Sequence, residues 1–224
     1  ANIDCVVIVS GGMDSVTLLH YLVKQAKLTP AMITFQYGQK HAREIESAKY
    51  NAQLLNIPDH RIVDLTSLTY LFASSALVGE NVAIPDIADV QGNPQPPTYV
   101  PNRNMIFLAL AAAYAESLGV NTVYYGAQAH DLYGYWDTTP DFLRRLNNVY
   151  QLNRGTPIHI EAPFVHDSKT QLLRVGLQLG VDYAHTWSCY VGGEVACGHC
   201  PTCAERLKAF EEVGIPDPLP YQAT

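Results

Sequence analysis

At 224 residues, 48% of them hydrophobic, the chain is long enough to bury one substantial core. Its net charge of −7, with 14 Lys and Arg against 21 Asp and Glu and no basic run, lacks the electrostatic footprint of a nucleic-acid binder and favours a small-molecule substrate. No apolar stretch approaches the ~18 residues of a membrane span, the opening apolar run is broken by Asp4, and four of five cysteines crowd into residues 189–203, so no signal peptide or secreted disulfide framework is expected and the chain reads as cytoplasmic.

In chain order, Asp4 to Val9 read as a strand, followed by a glycine turn and a helix from Ser15 to about Gln25. A second apolar strand covers Ala31 to Phe35. Ile45, Ala48, Ala52 and Leu55 fall at helical spacing and predict a helix ending near Asn56 and Pro58. A short strand follows at Arg61 to Leu65. This βαβαβ rhythm predicts an α/β fold with a doubly wound, mostly parallel sheet, whose ligand site lies at the carboxyl ends of the strands. Residues 66–98, rich in proline and poor in periodicity, read as a long loop and are expected to form a lid that orders on ligand. Pro101 opens a predicted helix through about Leu118, stopped by Gly119, and Thr122 to Tyr125 form a fourth strand. A helix after Pro140 runs to about Tyr150, and a fifth strand covers Ile158 to Ala162. Ser168 caps a helix through Leu179, ended by Gly180, and a last helix spans Thr202 to Val213. Nothing splits the chain, so one domain over residues 1–224 is expected, with a metal-binding segment at about 187–218.

Two clusters carry chemistry. The first is Ser10-Gly11-Gly12-Met13-Asp14-Ser15, between the first strand and its helix. Glycines there let backbone approach a phosphate closely, while helix N–H groups and the helix dipole favour its charge. Ser10 and Ser15 offer hydroxyl donors, and Asp14 can hold a metal that bridges phosphates. A turn using small residues for geometry alone is the bland alternative. The second cluster is Cys189, Cys197, Cys200 and Cys203, spaced Cys-x7-Cys-x2-Cys-x2-Cys with glycines between. Four thiolates suit a structural Zn²⁺, with an iron–sulfur cluster as the alternative. His199 reads as a turn residue and Cys5 as a small buried hydrophobe.

The Ser-Gly-Gly-x-Asp-Ser loop resembles that of the ATP pyrophosphatases, the PP-loop superfamily, which cleave ATP between its α- and β-phosphates. Taken with the cysteine spacing, Phe35-Gln36-Tyr37-Gly38-Gln39-Lys40-His41, Tyr99-Val100-Pro101-Asn102-Arg103-Asn104 and Thr186-Trp187-Ser188-Cys189-Tyr190, the chain resembles the 7-cyano-7-deazaguanine synthases from about residue 5 to residue 218. That resemblance implies ATP-dependent conversion of 7-carboxy-7-deazaguanine and ammonia to a nitrile, through an adenylated carboxylate and an amide, with ATP, Mg²⁺ and structural Zn²⁺. It implies a homodimer or higher homo-oligomer, while the charge balance and the lack of a long apolar stretch predict no direct nucleic-acid or membrane partner.

The same resemblance implies site residues. Val9, Ser10, Gly11, Gly12, Met13, Asp14, Ser15, Val16, Thr17, Leu18 and Leu19 would form the ATP segment. Asp14, Ser15, Arg103 and Lys169 would be catalytic, with a surface ion pair the alternative for Arg103 and an ordinary exposed lysine that for Lys169. Tyr37, Gln39, His41, Arg103, Asp131, Tyr135, Trp136 and Asp137 would bind the deazapurine. Around Asp131 the chain departs from the family's usual Asp-x-Ser-Gly-Tyr-Pro-Asp-Cys-Arg: Tyr133, Trp136, Thr138 and Thr139 differ, and an arginine is lost. Other readings are a ligase joining the activated acid to another amine, such as one on a protein, a tRNA-modifying PP-loop enzyme, and a nucleotide- and zinc-binding module without turnover.

Overall fold

The computed structural model describes residues 2–38, 43–78, 83–90, 96–129 and 135–222. Its centre is a sheet of five parallel strands: β1 (Cys5–Ile8), β2 (Pro30–Gln36), β3 (Asp59–Asp64), β4 (Thr122–Tyr124) and β5 (His159–Glu161), in the spatial order β3-β2-β1-β4-β5. The doubly wound arrangement read from the sequence is therefore present. Its order reverses between β1 and β4, and a crevice opens there at the carboxyl ends of the strands.

Successive strand residues face opposite sides, which is why both faces need an apolar cover. Val6, Ala31, Ile33 and Phe35 look towards α4 (Arg103–Leu118) and α5 (Pro140–Tyr150), packing on Phe107, Leu108, Ala111, Ala112 and Phe142. Val7, Val9 and Met32 look the other way. They meet α1 (Met13–His20), α2 (Arg43–Leu54), α6 (Lys169–Gln178) and α7 (Pro201–Val213) through Val16, Leu19, Ala48, Leu172, Leu173 and Phe210. Thr139 caps α5 by accepting from the Phe142 amide at 3.1 Å, and Ser168 caps α6 in a reciprocal box with Gln171.

Three local expectations are corrected. The first helix does not run as α-helix to Gln25: it changes to a π-turn over Tyr21–Gln25, whose Lys24 Nζ donates to the Leu179 carbonyl at 2.8 Å. Pro101 does not open α4, because Asn102 takes a left-handed conformation (φ 54°) and the helix begins at Arg103. Asparagine tolerates that conformation, and it turns the chain sharply so that Arg103 stands on the first turn. The stretch at 66–98 is not a bare loop. It carries a 3₁₀ helix at Thr66–Phe72 and one short turn of helix, α3 (Ile87–Val90), with Phe72, Ala76 and Leu77 buried and the Ala76 amide donating to the Pro97 carbonyl at 2.7 Å. Residues 79–82 and 91–95 of it lie outside the described residues.

Candidate active site

The glycine turn leaves β1 and enters α1 as the periodicity requires. Gly11 adopts φ 103°, and a methyl group there would sit 1.8 Å from the Glu44 carbonyl oxygen, so the turn can pack against the start of α2 only without a side chain. The Gly11 carbonyl accepts from the Trp187 amide at 3.0 Å, tying the turn to the segment before Cys189. Ser15 organises the turn from inside: its Oγ accepts from the Ser10 and Gly11 amides at 3.1 and 3.4 Å and pairs with Ser10 Oγ at 3.1 Å. Both hydroxyls are thus engaged within the loop. Gly12 caps α1 without a side chain, leaving the first-turn amides with no intrahelical acceptor.

The turn forms one end of a cavity of about 240 Å³ at the carboxyl edge of the sheet. Val9, Ser10, Gly12, Met13, Asp14 and Ser15 line it or border it, whereas Val16, Thr17, Leu18 and Leu19 turn into the core, Thr17 bonding to the Tyr183 hydroxyl at 2.7 Å. Lys169, on the first turn of α6, reaches across so that its Nζ lies 2.9 Å from one oxygen of Asp14 and 3.0 Å from the other. Burial alone would lower the lysine pKa, but Asp14 and then Glu205 outweigh it and hold the ammonium charged.

At the opposite end stand Tyr37, Arg103 and Tyr135. Arg103 Nη1 donates to the Tyr37 hydroxyl at 3.3 Å, and Phe35 stacks on Phe107 beneath them with ring centres 4.1 Å apart. Tyr135 meets the Thr98 hydroxyl at 2.8 Å, linking the 66–98 stretch to this end. Trp136 and Asp137 stand outside the cavity wall. Trp136 is 45% exposed, donates from Nε1 to the Tyr99 hydroxyl at 2.9 Å and sets its edge on Phe142. Asp137 is 2% exposed beneath α4; burial raises its pKa, while Arg103 and Asn104 oppose that rise. The expected ligands Gln39, His41 and Asp131 lie outside the described residues.

The structure also places in the cavity residues to which the sequence assigned no role: Glu44, Trp187, Tyr190, Thr202 and Glu205. Their signal was positional only. Glu44 is the second residue of the helix after β2, and Glu205 lies two residues beyond the last cysteine. Arg206 ties the C-terminal wall together: it is buried at 1% exposure and bonded to Asp217 at 2.6 and 2.9 Å, to Thr186 at 2.7 Å and to the Tyr183 carbonyl at 2.9 Å.

Cys189, Cys197, Cys200 and Cys203 converge beside this wall, all buried, with sulfur atoms within 4.8 Å of one another. The Cys197 amide donates to Cys189 Sγ at 3.4 Å and the Cys200 amide to Cys197 Sγ at 3.3 Å, bonds that offset thiolate charge. The cluster can hold a metal ion. His199 points away, its Nδ1 2.7 Å from Asp86, and Cys5 is a buried thiol pushed up to about 12 by burial and Asp4.

The family described as "Queuosine biosynthesis protein QueC" matches residues 4–214. A 7-cyano-7-deazaguanine synthase of Chromohalobacter salexigens is 44% identical over 216 residues, covering 96% of this chain and 85% of the relative. One from Caldicellulosiruptor saccharolyticus is 45% identical over 217 residues, covering 97% and 95%. Among solved structures, NMN synthetase from Francisella tularensis superposes with a TM-score of 0.52 at 14% identity, over 99% of this chain and 79% of that one. The U34-tRNA thiolase NcsA of Methanococcus maripaludis, solved with its [4Fe-4S] cluster, reaches 0.50 at 14% identity, over 95% and 67%. These two share the fold, and the sequence matches reach further: the chain belongs to the QueC queuosine-biosynthesis family.

Proposed function

We infer that the chain is an ATP-dependent carbon–nitrogen ligase that turns 7-carboxy-7-deazaguanine and ammonia into 7-cyano-7-deazaguanine. The observation that carries this reading is one cavity with two chemically distinct ends. The uncapped first turn of α1, with Lys169 beside it, suits the phosphates of ATP, while Arg103 among Tyr37 and Tyr135 suits an aromatic acid.

The chemistry asks for such an arrangement. Ammonia cannot displace oxide from a carboxylate, so the acid's oxygen first attacks the α-phosphate, expelling pyrophosphate. Ammonia then attacks the acyl carbon and AMP leaves, giving the amide. A second adenylation, on the amide oxygen, permits loss of AMP and formation of the nitrile. Each adenylation consumes its own ATP, releasing pyrophosphate, and builds charge at an α-phosphorus held in the same position. Lys169 and the loop amides stabilise that charge, each well-aimed donor contributing about 3 kcal/mol. Arg103 and Tyr135 hold the acid in line, and Asp137 fixes Arg103 and Asn104 from beneath. Asp14 would hold Mg²⁺, which would neutralise phosphate charge, and Lys169, bonded to Asp14 at 2.9 Å, stands within the same end of the cavity to support the α-phosphate.

For the cysteines, the sulfur spacing favours zinc. A tetrahedral ion with bonds of about 2.3 Å sets its thiolates about 3.8 Å apart, and Cys197 and Cys203 already stand 3.9 Å apart. An iron–sulfur cluster interposes several atoms and spreads its thiolates further. The role is structural, in a segment at about 187–218 of a single domain, and the protein works as a cytoplasmic homo-oligomer.

Incubation with ATP, Mg²⁺, ammonium and the carboxydeazaguanine, followed by mass spectrometry, tests the reading. Loss of the acid with appearance of the nitrile is expected. A reaction that stops at the amide, or a deazapurine-sized mass on a protein, would replace it with the related ligase.

A further inference from the structure

The reaction just described needs neutral ammonia, whereas near neutral pH the amine is almost all ammonium, which is not a nucleophile; it also removes two N–H protons from an amide. Each event needs a proton acceptor beside the reacting carbon. We propose that Glu44 is that acceptor, a catalytic base facing the acyl carbon; this rests on the functional reading above and deepens it.

Three features of the fold single it out. Glu44 lies on the first turn of α2 with its carbonyl packed on Gly11, so the phosphate turn and this residue are one rigid unit. It borders the cavity between that turn and the Arg103–Tyr37 end, where an adenylated acid has to lie. Among the described residues, the other carboxylates of the wall face a cation: Asp14 is bonded to Lys169 at 2.9 Å, and Glu205 supports the charge of the same lysine. Among the described residues, the charged and titratable groups facing Glu44 are Arg103 of α4 and Tyr37 at the end of β2, and Asp14, Lys169, Tyr190 and Glu205 also line the wall. Burial pushes the Glu44 carboxyl up to about 7, with Arg103 pulling the other way, so near neutrality it is both able to take a proton and able to give it up.

The steps balance. Glu44 carboxylate takes a proton from ammonium, and the neutral ammonia forms a bond to the acyl carbon. The C–O bond to AMP breaks with its electron pair, and the surplus N–H proton leaves with the AMP phosphate. Glu44 returns its proton to solvent. When the amide oxygen attacks the second α-phosphate, pyrophosphate departs and Glu44 takes one N–H proton. After again releasing it to solvent, Glu44 takes the last N–H proton as the second C–O bond breaks, leaving the nitrile and AMP.

The test compares the native protein with Glu44→Gln in two assays. Acid-dependent exchange of pyrophosphate into ATP, without ammonium, reports adenylation alone. Formation of amide from the acid, and of nitrile from the supplied amide, reports the proton-dependent steps. The variant should keep exchange within about twofold and lose both product-forming steps by roughly 100- to 1,000-fold near neutral pH. Amide formation should recover at alkaline pH, where ammonia is already neutral, and nitrile formation should recover less. Product rates within twofold of native, or exchange lost as completely as product, would overturn the assignment. In the unaltered protein, nitrile formation from amide should rise with pH through about 7 and then level off; a flat profile there would also overturn it, even if the variant failed to fold. Absence of acid-dependent exchange in the native protein would instead strike the functional reading itself.

Discussion

At the scale of single residues, the site is a set of side chains held where they cost stability. Glu44 binds its proton more tightly folded than unfolded, since burial lifts its carboxyl to about 7. The folded state therefore gains from this group at low pH and loses that gain as pH rises from the ordinary glutamate range through about 7. Glu44→Gln removes the loss. It should leave stability unchanged near pH 4 and raise it by about 1–3 kcal/mol at pH 8, readable as a urea midpoint shift with unchanged slope; a variant less stable at both pH values would contradict this. Asp14→Asn takes the opposite course. It strips the proposed magnesium ligand and leaves the Lys169 ammonium without its partner, so AMP release should fall at least about 100-fold. The cysteine cluster should keep its metal in that variant. Turnover near the native rate would show that Asp14 has no part in phosphate chemistry.

Among the elements, the glycine turn and the C-terminal segment do the positioning. Gly11→Ala places a methyl group 1.8 Å from the Glu44 carbonyl at φ 103°, a clash with backbone that no rotamer relieves. The expected result is a destabilised protein that no longer binds ATP, checked by calorimetry. The wall that carries Trp187, Thr202 and Glu205 depends on the Arg206–Asp217 pair, both side chains 2% exposed or less. Asp217→Asn leaves a buried guanidinium without its counter-charge and should cost about 3–5 kcal/mol. At roughly 2–4 °C per kcal/mol for a chain of this size, the melting temperature should drop by about 10 °C. Cys200→Ser should lower both metal content and melting temperature, because a tetrathiolate site folds with its ion; normal values of both would remove the metal from the description.

For the molecule as a whole, the sheet's reversal between β1 and β4 opens one crevice and every proposed reactant is led to it. A net charge of −7 opposes capture of a polyanion. Labelled tRNA should therefore pass a filter carrying the protein at moderate salt, and retention there would favour a nucleic-acid substrate. No helix among the described residues is long and apolar enough to cross a membrane.

What the sequence determined alone was everything governed by local period and short spacing. Strand, turn and helix follow from where apolar residues recur, and four cysteines within fifteen residues, with glycines at the turns, mark a site for one ion. Ends of elements were less legible. The π-turn at Tyr21–Gln25 and the left-handed Asn102 are set by packing and by the sharp turn into α4, and neither leaves a periodic trace. Only the tertiary structure decided which side chains share the cavity. It brought Glu44 and Glu205 in from helices far apart in sequence, and it set Asp137 and Trp136 outside the wall although they neighbour Tyr135. Such choices depend on the faces that helices turn to the sheet once it has formed, a property of long-range packing that no local pattern encodes.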